Sequence, residues 1–237
     1  MCMFYWLLCG IFFDTKYNKN TKGNAKLNKA IIFDLDGTLW DSTGCASDIW
    51  NRVLEKHEDI SFRMTQEMAA KLMGKTMAEI GAILFPEMSV DDQSKIVDEF
   101  GEEEVKYLEE HGAVLYDGMA QTVDLLSKEY QLYIVSNCQD GYVPAFLHAH
   151  KMENYFEDIE MSGRTGLDKG KNIKIIMERN NITSAVYVGD TEGDEIASRY
   201  AGIPFIYAAY GFGQANAPDA TIKCMRDLPE CLKQVAL

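Results

Sequence analysis

The sequence has few basic residues for its length. Its 237 residues include 23 lysines and arginines against 37 aspartates and glutamates, which gives a formal net charge of −14. Proteins that bind nucleic acids rely on lysine and arginine to neutralise the phosphates. We therefore expect no nucleic-acid partner, and any anionic ligand would have to be attracted locally, by a metal ion or a few cations.

Long apolar runs and paired cysteines are also missing. No apolar run approaches the roughly 20 residues that span a bilayer, so we expect no membrane partner. The six cysteines, at positions 2, 9, 45, 138, 224 and 231, show no Cys-x-x-Cys spacing. This pattern indicates neither a zinc site nor a disulfide framework, and it favours a reducing, cytoplasmic location.

The strongest chemical signal is a short apolar run that ends in aspartates. Residues 30–33 are Ala-Ile-Ile-Phe, and Asp34, Asp36 and Asp41 follow around a Gly-Thr turn. Such a run is typical of a buried strand in a parallel sheet, and chemistry in these sheets gathers beyond the carboxyl ends of the strands. Crowded carboxylates repel each other unless a cation lies between them, and Mg²⁺ prefers oxygen ligands. An EF-hand loop is excluded because Cys45 occupies its twelfth position.

Helical periodicity replaces the strand pattern after Asp41 until about residue 132. Thr76 begins a capping box that ends at Glu79, Pro86 is expected to end that helix, and Ser89 to begin a long acidic one. Two apolar stripes are expected to be buried, one made of Ile49, Trp50, Val53, Leu54 and His57 and one made of Met77, Ile80, Ile83 and Leu84. These spacings predict a small helical bundle inserted after the first strand.

Two later apolar runs end in polar residues. Residues 132–135 lead to Ser136 and Asn137, and residues 185–188 lead to Gly189 and Asp190. A hydroxyl and an amide at a strand end can donate hydrogen bonds, and a carboxylate there can complete a metal site. Both runs therefore predict strands, although a Ser-Asn strand end taken alone is usually an ordinary turn.

These motifs resemble those of a known superfamily. The spacing Asp-x-Asp-Gly-Thr-Leu-x-Asp from Asp34 resembles the first signature of the haloacid dehalogenase superfamily, most of whose members are phosphatases. Asp190 and Asp194 match the spacing of its fourth signature, Gly-Asp-x-x-x-Asp. The helical insert is similar to the cap of its phosphoglycolate phosphatase-like branch. The resemblance covers residue 29 to about residue 232.

The resemblance implies a fold and a division of the chain. We expect an α/β fold, a doubly wound parallel sheet with an inserted α-helical cap domain. Residues 29–42 and 116–237 are assigned to the core domain, and residues 43–115 to the cap. The first 28 residues are expected to be an appendage outside this fold, because their apolar start lacks the basic region and cleavage site of a signal peptide.

The resemblance also implies roles around the phosphate. Asp34 is expected to be the nucleophile that forms an aspartyl-phosphate. Asp36 is expected to protonate the leaving alcohol and then to activate water. Mg²⁺ is expected on Asp34, Asp190 and the carbonyl oxygen of Asp36. Ser136 and Asn137 are expected to bind the substrate, as the second signature does.

The active-site lysine of the third signature is Lys169 or Lys171. We favour Lys169, although the family often has Lys-Pro where this chain has Lys169 and a glycine. Asp194 is expected to brace Lys169 or a metal-bound water. Lys75 occupies the place where similar caps carry a substrate-contacting turn, so it is a candidate specificity residue.

The sequence therefore predicts a Mg²⁺-dependent phosphatase of a small phosphorylated metabolite, acting as a monomer or a homodimer. A haloacid dehalogenase is disfavoured because Asp36 is present. A sugar-phosphate mutase of the β-phosphoglucomutase type has the same core and a similar cap, so it remains an alternative. A second alternative is a catalytically silent binding module that kept the fold.

Overall fold

The computed structural model describes residues 29–235. The expected appendage, residues 1–28, lies outside the described residues. Each helix within residues 29–235 is too short or too polar to cross a bilayer.

The first half of the described chain is mostly helical. It contains β1 (Lys29–Phe33), β2 (Trp40–Asp41), α1 (Thr43–Leu54), α2 (Gln66–Leu72), α3 (Met77–Leu84), α4 (Val90–His111), β3 (Val114–Leu115) and α5 (Met119–Leu126). The second half alternates strands and helices. It contains β4 (Gln131–Ser136), α6 (Tyr142–His150), β5 (Phe156–Met161), α7 (Ser162–Thr165), α8 (Lys169–Arg179), β6 (Ser184–Gly189), α9 (Glu192–Ala201), β7 (Phe205–Ala208), β8 (Ala220–Ile222) and α10 (Leu228–Cys231).

Six strands form a parallel sheet in the order β5-β4-β1-β6-β7-β8. β1 pairs in parallel with β4 on one side and with β6 on the other. The chain therefore winds outwards from β1 in both directions, which confirms the predicted doubly wound fold. Since all three central strands run the same way, their carboxyl ends lie side by side, where such sheets bind ligands.

Burial on both faces explains the unbroken apolar run of β1. Ile31 and Phe33 pack into the core cluster that contains residues of α5 and α6. Ala30 and Ile32 point to the other face and pack against Ile173 of α8 and its neighbours. A strand covered on both sides has no solvent-facing position, so apolar residues do not alternate with polar ones.

Helices α1 to α4 lie between β2 and β3, and we call them the cap. β2 and β3 pair in antiparallel register, so the chain enters and leaves the cap at one place. The cap has its own apolar cluster. At its centre the rings of Trp50 and Phe100 stack with centroids 5.0 Å apart and planes 6° apart.

Several local expectations are confirmed and others are wrong. Thr76 and Glu79 form the capping box, and Ser89 caps α4. Ile83 is 51% exposed, so it is not part of a buried stripe. His57 lies beyond the end of α1 at Leu54. The sequence did not predict β2, β3 or β8, because strands of two or three residues are too short to show a period.

Candidate active site

Three central strands bring polar side chains to one edge of the sheet. Asp34 directly follows β1, Ser136 is the last residue of β4, and Asp190 directly follows β6. The backbone nitrogen of Asp34 donates to the carbonyl oxygen of Val188 at 2.9 Å, which ties the end of β1 to β6. All three polar side chains are buried.

The Lys169 side chain joins two of the acids in this site. Its Nζ lies 2.8 Å from Asp34 Oδ1 and 2.6 Å from Asp194 Oδ1. Burial alone would lower the pKa of Lys169, but the nearby Asp194 and Asp34 carboxylates raise it, so the ammonium stays charged. Lys171 instead pairs with Asp168 at 2.7 Å and is exposed. Of the two candidate lysines, the structure brings Lys169 to the acids.

The two acids at the strand ends and Asp194 of α9 form a pocket of oxygen atoms suited to a cation. Oxygen atoms of Asp34, Asp190 and Asp194 lie within 4.8 Å of one another. Asp34 Oδ2 and Asp190 Oδ1 are buried and have no hydrogen-bond partner. Buried carboxylate oxygens without partners are costly, and a hard divalent cation such as Mg²⁺ would satisfy them. The residues present therefore fit a metal of this kind.

The pKa values of these acids reflect the same crowding. Burial raises the pKa of Asp34 to about 7, although Lys169 opposes the rise. Burial also raises the pKa of Asp190 well above its usual value, and the charges of Asp194 and Asp34 add to it. Carboxylates in such a place ionise readily only when a cation compensates them.

Two glycines and a loop hold Asp190 in place. Its Oδ2 accepts hydrogen bonds from the backbone nitrogens of Phe212 at 2.7 Å and Gly213 at 3.4 Å. Gly37 has a φ of 83°, and a Cβ there would lie 2.2 Å from Asp190 Oδ2. A Cβ on Gly211 would lie 2.3 Å from the Asp190 Cβ. Sequence reasoning missed this role of the glycine-rich loop after β7, whose only signal was its glycines.

The Asp36 side chain points into a separate hydrogen-bond network. Its Oδ1 accepts from Trp40 Nε1 at 2.8 Å, Ser42 Oγ at 2.6 Å and Tyr142 Oη at 2.9 Å. Burial raises the pKa of Asp36, and the hydrogen bonds from Ser42, Tyr142 and Trp40 oppose that rise. Tyr142 is a site residue that sequence reasoning missed, since nothing near it in the chain marks it.

Asn137 connects the core to the cap loop that carries Lys75. Its Nδ2 donates to the Gly74 carbonyl oxygen at 2.8 Å, and its Oδ1 accepts from Ser162 Oγ at 2.9 Å. Lys75 is exposed, and it lines a cavity of about 30 Å³. The same cavity is lined by Asp34, Asp36, Ser136 and Asn137, so it reaches the strand-end acids. A wider cleft of about 1370 Å³ between the cap and α7 to α9 shares Asn137 with it.

Comparisons with known proteins agree with this geometry. The sequence model of the haloacid dehalogenase-like hydrolase family matches residues 31–208. A phosphoglycolate phosphatase of Aliivibrio fischeri is 26% identical over 206 residues, which cover 79% of this chain and 87% of that protein. A glyceraldehyde 3-phosphate phosphatase of Methanothermobacter thermautotrophicus is 29% identical over 162 residues, which cover 63% of this chain and 69% of that protein.

Solved structures show the same fold. A haloacid dehalogenase-like family hydrolase of Streptococcus pneumoniae superposes with a TM-score of 0.73 at 22% identity, covering 85% of this chain and 96% of that one. CbbY of Rhodobacter sphaeroides, in complex with phosphate, superposes with a TM-score of 0.70 at 17% identity, covering 88% of this chain and 99% of that one. The family match extends over most of the chain, from β1 to β7. The chain therefore belongs to the haloacid dehalogenase-like hydrolase family and is a phosphatase of that family.

Proposed function

We propose that this phosphatase depends on Mg²⁺ and hydrolyses a small phosphorylated metabolite through an aspartyl-phosphate on Asp34. The observation that carries this proposal is the arrangement of Asp34. One of its buried oxygens is held by Lys169 and the other has no partner, like Oδ1 of Asp190, whose carboxylate has an oxygen within 4.8 Å of one of Asp34.

Asp34, Asp190 and the carbonyl oxygen of Asp36 would hold the metal ion. When bound, Mg²⁺ offsets the negative charges of the Asp34 carboxylate and the substrate phosphate, which would otherwise repel each other. Lys169 supplies a second, fixed positive charge beside Asp34, and Asp194 positions that lysine through their ion pair. Ser136 is buried beside Asp34, and with Asn137 it would donate to the phosphoryl oxygens.

The reaction consists of two displacements at phosphorus. The Asp34 carboxylate attacks the phosphorus, the bond to the leaving oxygen breaks, and protonated Asp36 gives that oxygen its proton. Asp36 then accepts a proton from water as this water attacks the aspartyl-phosphate. Inorganic phosphate leaves, and the Asp34 carboxylate is restored.

We also propose that residues 43–115 act as a cap that moves relative to the core of residues 29–42 and 116–237. The cavity above Asp34 is about 30 Å³, whereas a single water needs roughly 10 to 15 Å³ by the same measure. A phosphate ester does not fit into that space, so the cap has to open before the ester can bind. Lys75, on the cap loop that Asn137 holds, is proposed to contact the bound substrate.

The proposed enzyme is cytoplasmic and acts as a monomer or a homodimer. The four cysteines within residues 29–235 are free, which fits a reducing compartment.

A screen of phosphorylated metabolites for phosphate release tests the proposed function. Phosphoglycolate and glyceraldehyde 3-phosphate come first, because they appear in the names of the relatives. We expect turnover with Mg²⁺ and none in Asp34→Asn. Lys169→Met is expected to lose activity at least about 100-fold because it removes a fixed positive charge, whereas the exposed control Lys171→Met keeps it.

The products of the same screen separate the alternatives. Isomerised sugar phosphate in place of free phosphate would identify a mutase. A silent binding module would release no phosphate from any ester, with or without Mg²⁺. Retained activity in Asp34→Asn would mean that the nucleophile is another residue.

A further inference from the structure

Helix α4 of the cap carries a buried glutamate that the proposed reaction does not use. Glu104 is only 3% exposed. It lines the same small cavity as Asp34 and Asp36, together with the apolar side chains of Leu72 and Ile80. A carboxyl group buried in a largely apolar wall is costly unless polar groups satisfy it. Glu104 therefore lines the space next to the proposed nucleophile, where the leaving group of a bound ester would lie.

Two polar side chains accompany Glu104 in this wall. Gln139, which follows β4 in the core, donates from Nε2 to Glu104 Oε2 at 3.0 Å. Trp50 of α1 lines the same cavity, and its Nε1 is buried without a hydrogen-bond partner. An unpartnered indole N–H is a donor that a ligand oxygen would satisfy. This indole N–H lies near the Glu104 carboxyl, whose pKa it lowers, but it makes no hydrogen bond within the usual distance, so a ligand oxygen can still accept from it.

We propose that Glu104, Gln139 and Trp50 form a subsite that binds hydroxyl groups of the leaving alcohol, so that the substrate is a phosphomonoester of a neutral, polyhydroxylated alcohol. This proposal rests on the proposed phosphatase function, for which it names the class of substrate. The oxygen of such a hydroxyl group accepts a hydrogen bond from the Trp50 indole, and the O–H of the same group donates a hydrogen bond to Glu104.

Leaving groups of either charge fit this wall less well. A carboxylate would bring an ionised group into a wall in which the structure describes no buried cation to compensate it. Lys75 is the only lysine or arginine among the described residues that line the cavity, and its side chain is exposed. An ammonium group would need an ionised Glu104, whereas burial raises the pKa of this carboxyl to about 8, with Gln139 and Trp50 opposing the rise. A neutral hydroxyl group needs neither partner.

Phosphate release by the full-length protein with Mg²⁺ tests the proposal. Glycerol 3-phosphate and ribose 5-phosphate represent hydroxylated alcohols, 2-phosphoglycolate a carboxylate, phosphoethanolamine an ammonium, and phenyl phosphate a leaving group without further polar atoms. For the wild type we expect kcat/KM to be at least about 10-fold higher for a hydroxylated ester than for either charged one, since a buried charge without a partner is costly.

Substitutions then assign this preference to the subsite. Glu104→Leu is expected to lower kcat/KM for the hydroxylated esters about 10-fold or more, while kcat/KM for phenyl phosphate changes less than about 3-fold. Trp50→Phe should lower kcat/KM for the same hydroxylated esters selectively, because it removes the indole donor and keeps an aromatic ring at this position. Glu109→Leu, at an exposed position of the same helix, is the matched control and is expected to behave as the wild type.

Three results would overturn the subsite. These are a wild-type preference for 2-phosphoglycolate, a preference for phosphoethanolamine, or a loss in Glu104→Leu that is equal for all esters including phenyl phosphate. The wild-type preferences do not depend on whether any variant folds. The failure of the proposed function is a different result, namely no release of phosphate by the wild type from any ester in the panel.

Discussion

Glu104 is expected to contribute to the pH dependence of the stability of this protein, and Glu104→Gln should remove that contribution. The substitution keeps the size of the side chain and its ability to bond to Gln139, but it removes the group that titrates. Burial raises the pKa of Glu104 from 4.5 to about 8 in the folded protein, with the charge of Asp36 adding to the rise. In the unfolded chain the pKa of this carboxyl returns to its ordinary value.

The sign and the size of the effect follow from this difference. Below about pH 4.5 the carboxyl is protonated in both states, so it does not change the free energy of unfolding. Between pH 4.5 and about 8 the unfolded state loses the proton first, so the free energy of unfolding falls as the pH rises. Each pKa unit is worth about 1.4 kcal/mol, which gives a total loss of roughly 5 kcal/mol. Above pH 8 the loss is complete and constant.

Urea unfolding at a series of pH values between 5 and 8.5 measures this effect. We expect the wild type to lose about 4 kcal/mol more than Glu104→Gln over that range, because all other groups titrate alike in the two proteins. Glu109→Gln, at an exposed position of α4, is the control and should follow the wild type. If the stabilities of the wild type and Glu104→Gln differ by the same amount, within 1 kcal/mol, at every pH, then the carboxyl is not held protonated and the reasoning fails.

Three further predictions concern the acids at the strand ends. Tyr142→Phe removes one of three hydrogen bonds to Asp36 Oδ1, so steady-state kinetics should show kcat falling at least about 10-fold with little change in KM; an unchanged kcat would contradict the role of Asp36. Gly37→Ala should weaken Mg²⁺ binding, measured by calorimetry, at least about 10-fold, because the new Cβ would meet Asp190. Gly202→Ala is its control, because Gly202 has a φ of 78° with nothing within 4 Å, and equal losses in both variants would implicate backbone strain alone. Finally, chelation by EDTA should abolish phosphate release and added Mg²⁺ restore it, whereas full activity in EDTA would exclude a metal-dependent reaction.

Local features of the structure could be predicted because they depend on neighbouring residues. The unbroken apolar run of β1 identifies a strand that is buried on both faces. The caps at Thr76 and Ser89 satisfy backbone groups only a few residues away. Asp34 and Asp190 could be identified because each directly follows such a strand, so parallel pairing brings them to the same edge of the sheet.

Other features of the site depend on contacts between distant parts of the chain. Lys169 and Lys171 are two residues apart in one helix, and only the packing of α8 decides which of them faces Asp34. Tyr142 reaches Asp36 across 106 residues, and Gln139 reaches Glu104 across 35. No local pattern marks such pairs, because a buried polar side chain resembles an exposed one in the sequence. The sequence by itself therefore determined the central strands β1, β4 and β6, the carboxylates that follow β1 and β6, and the family. Only the tertiary structure decided which lysine, tyrosine and glutamate meet those carboxylates, because burial and distance arise when separate elements pack.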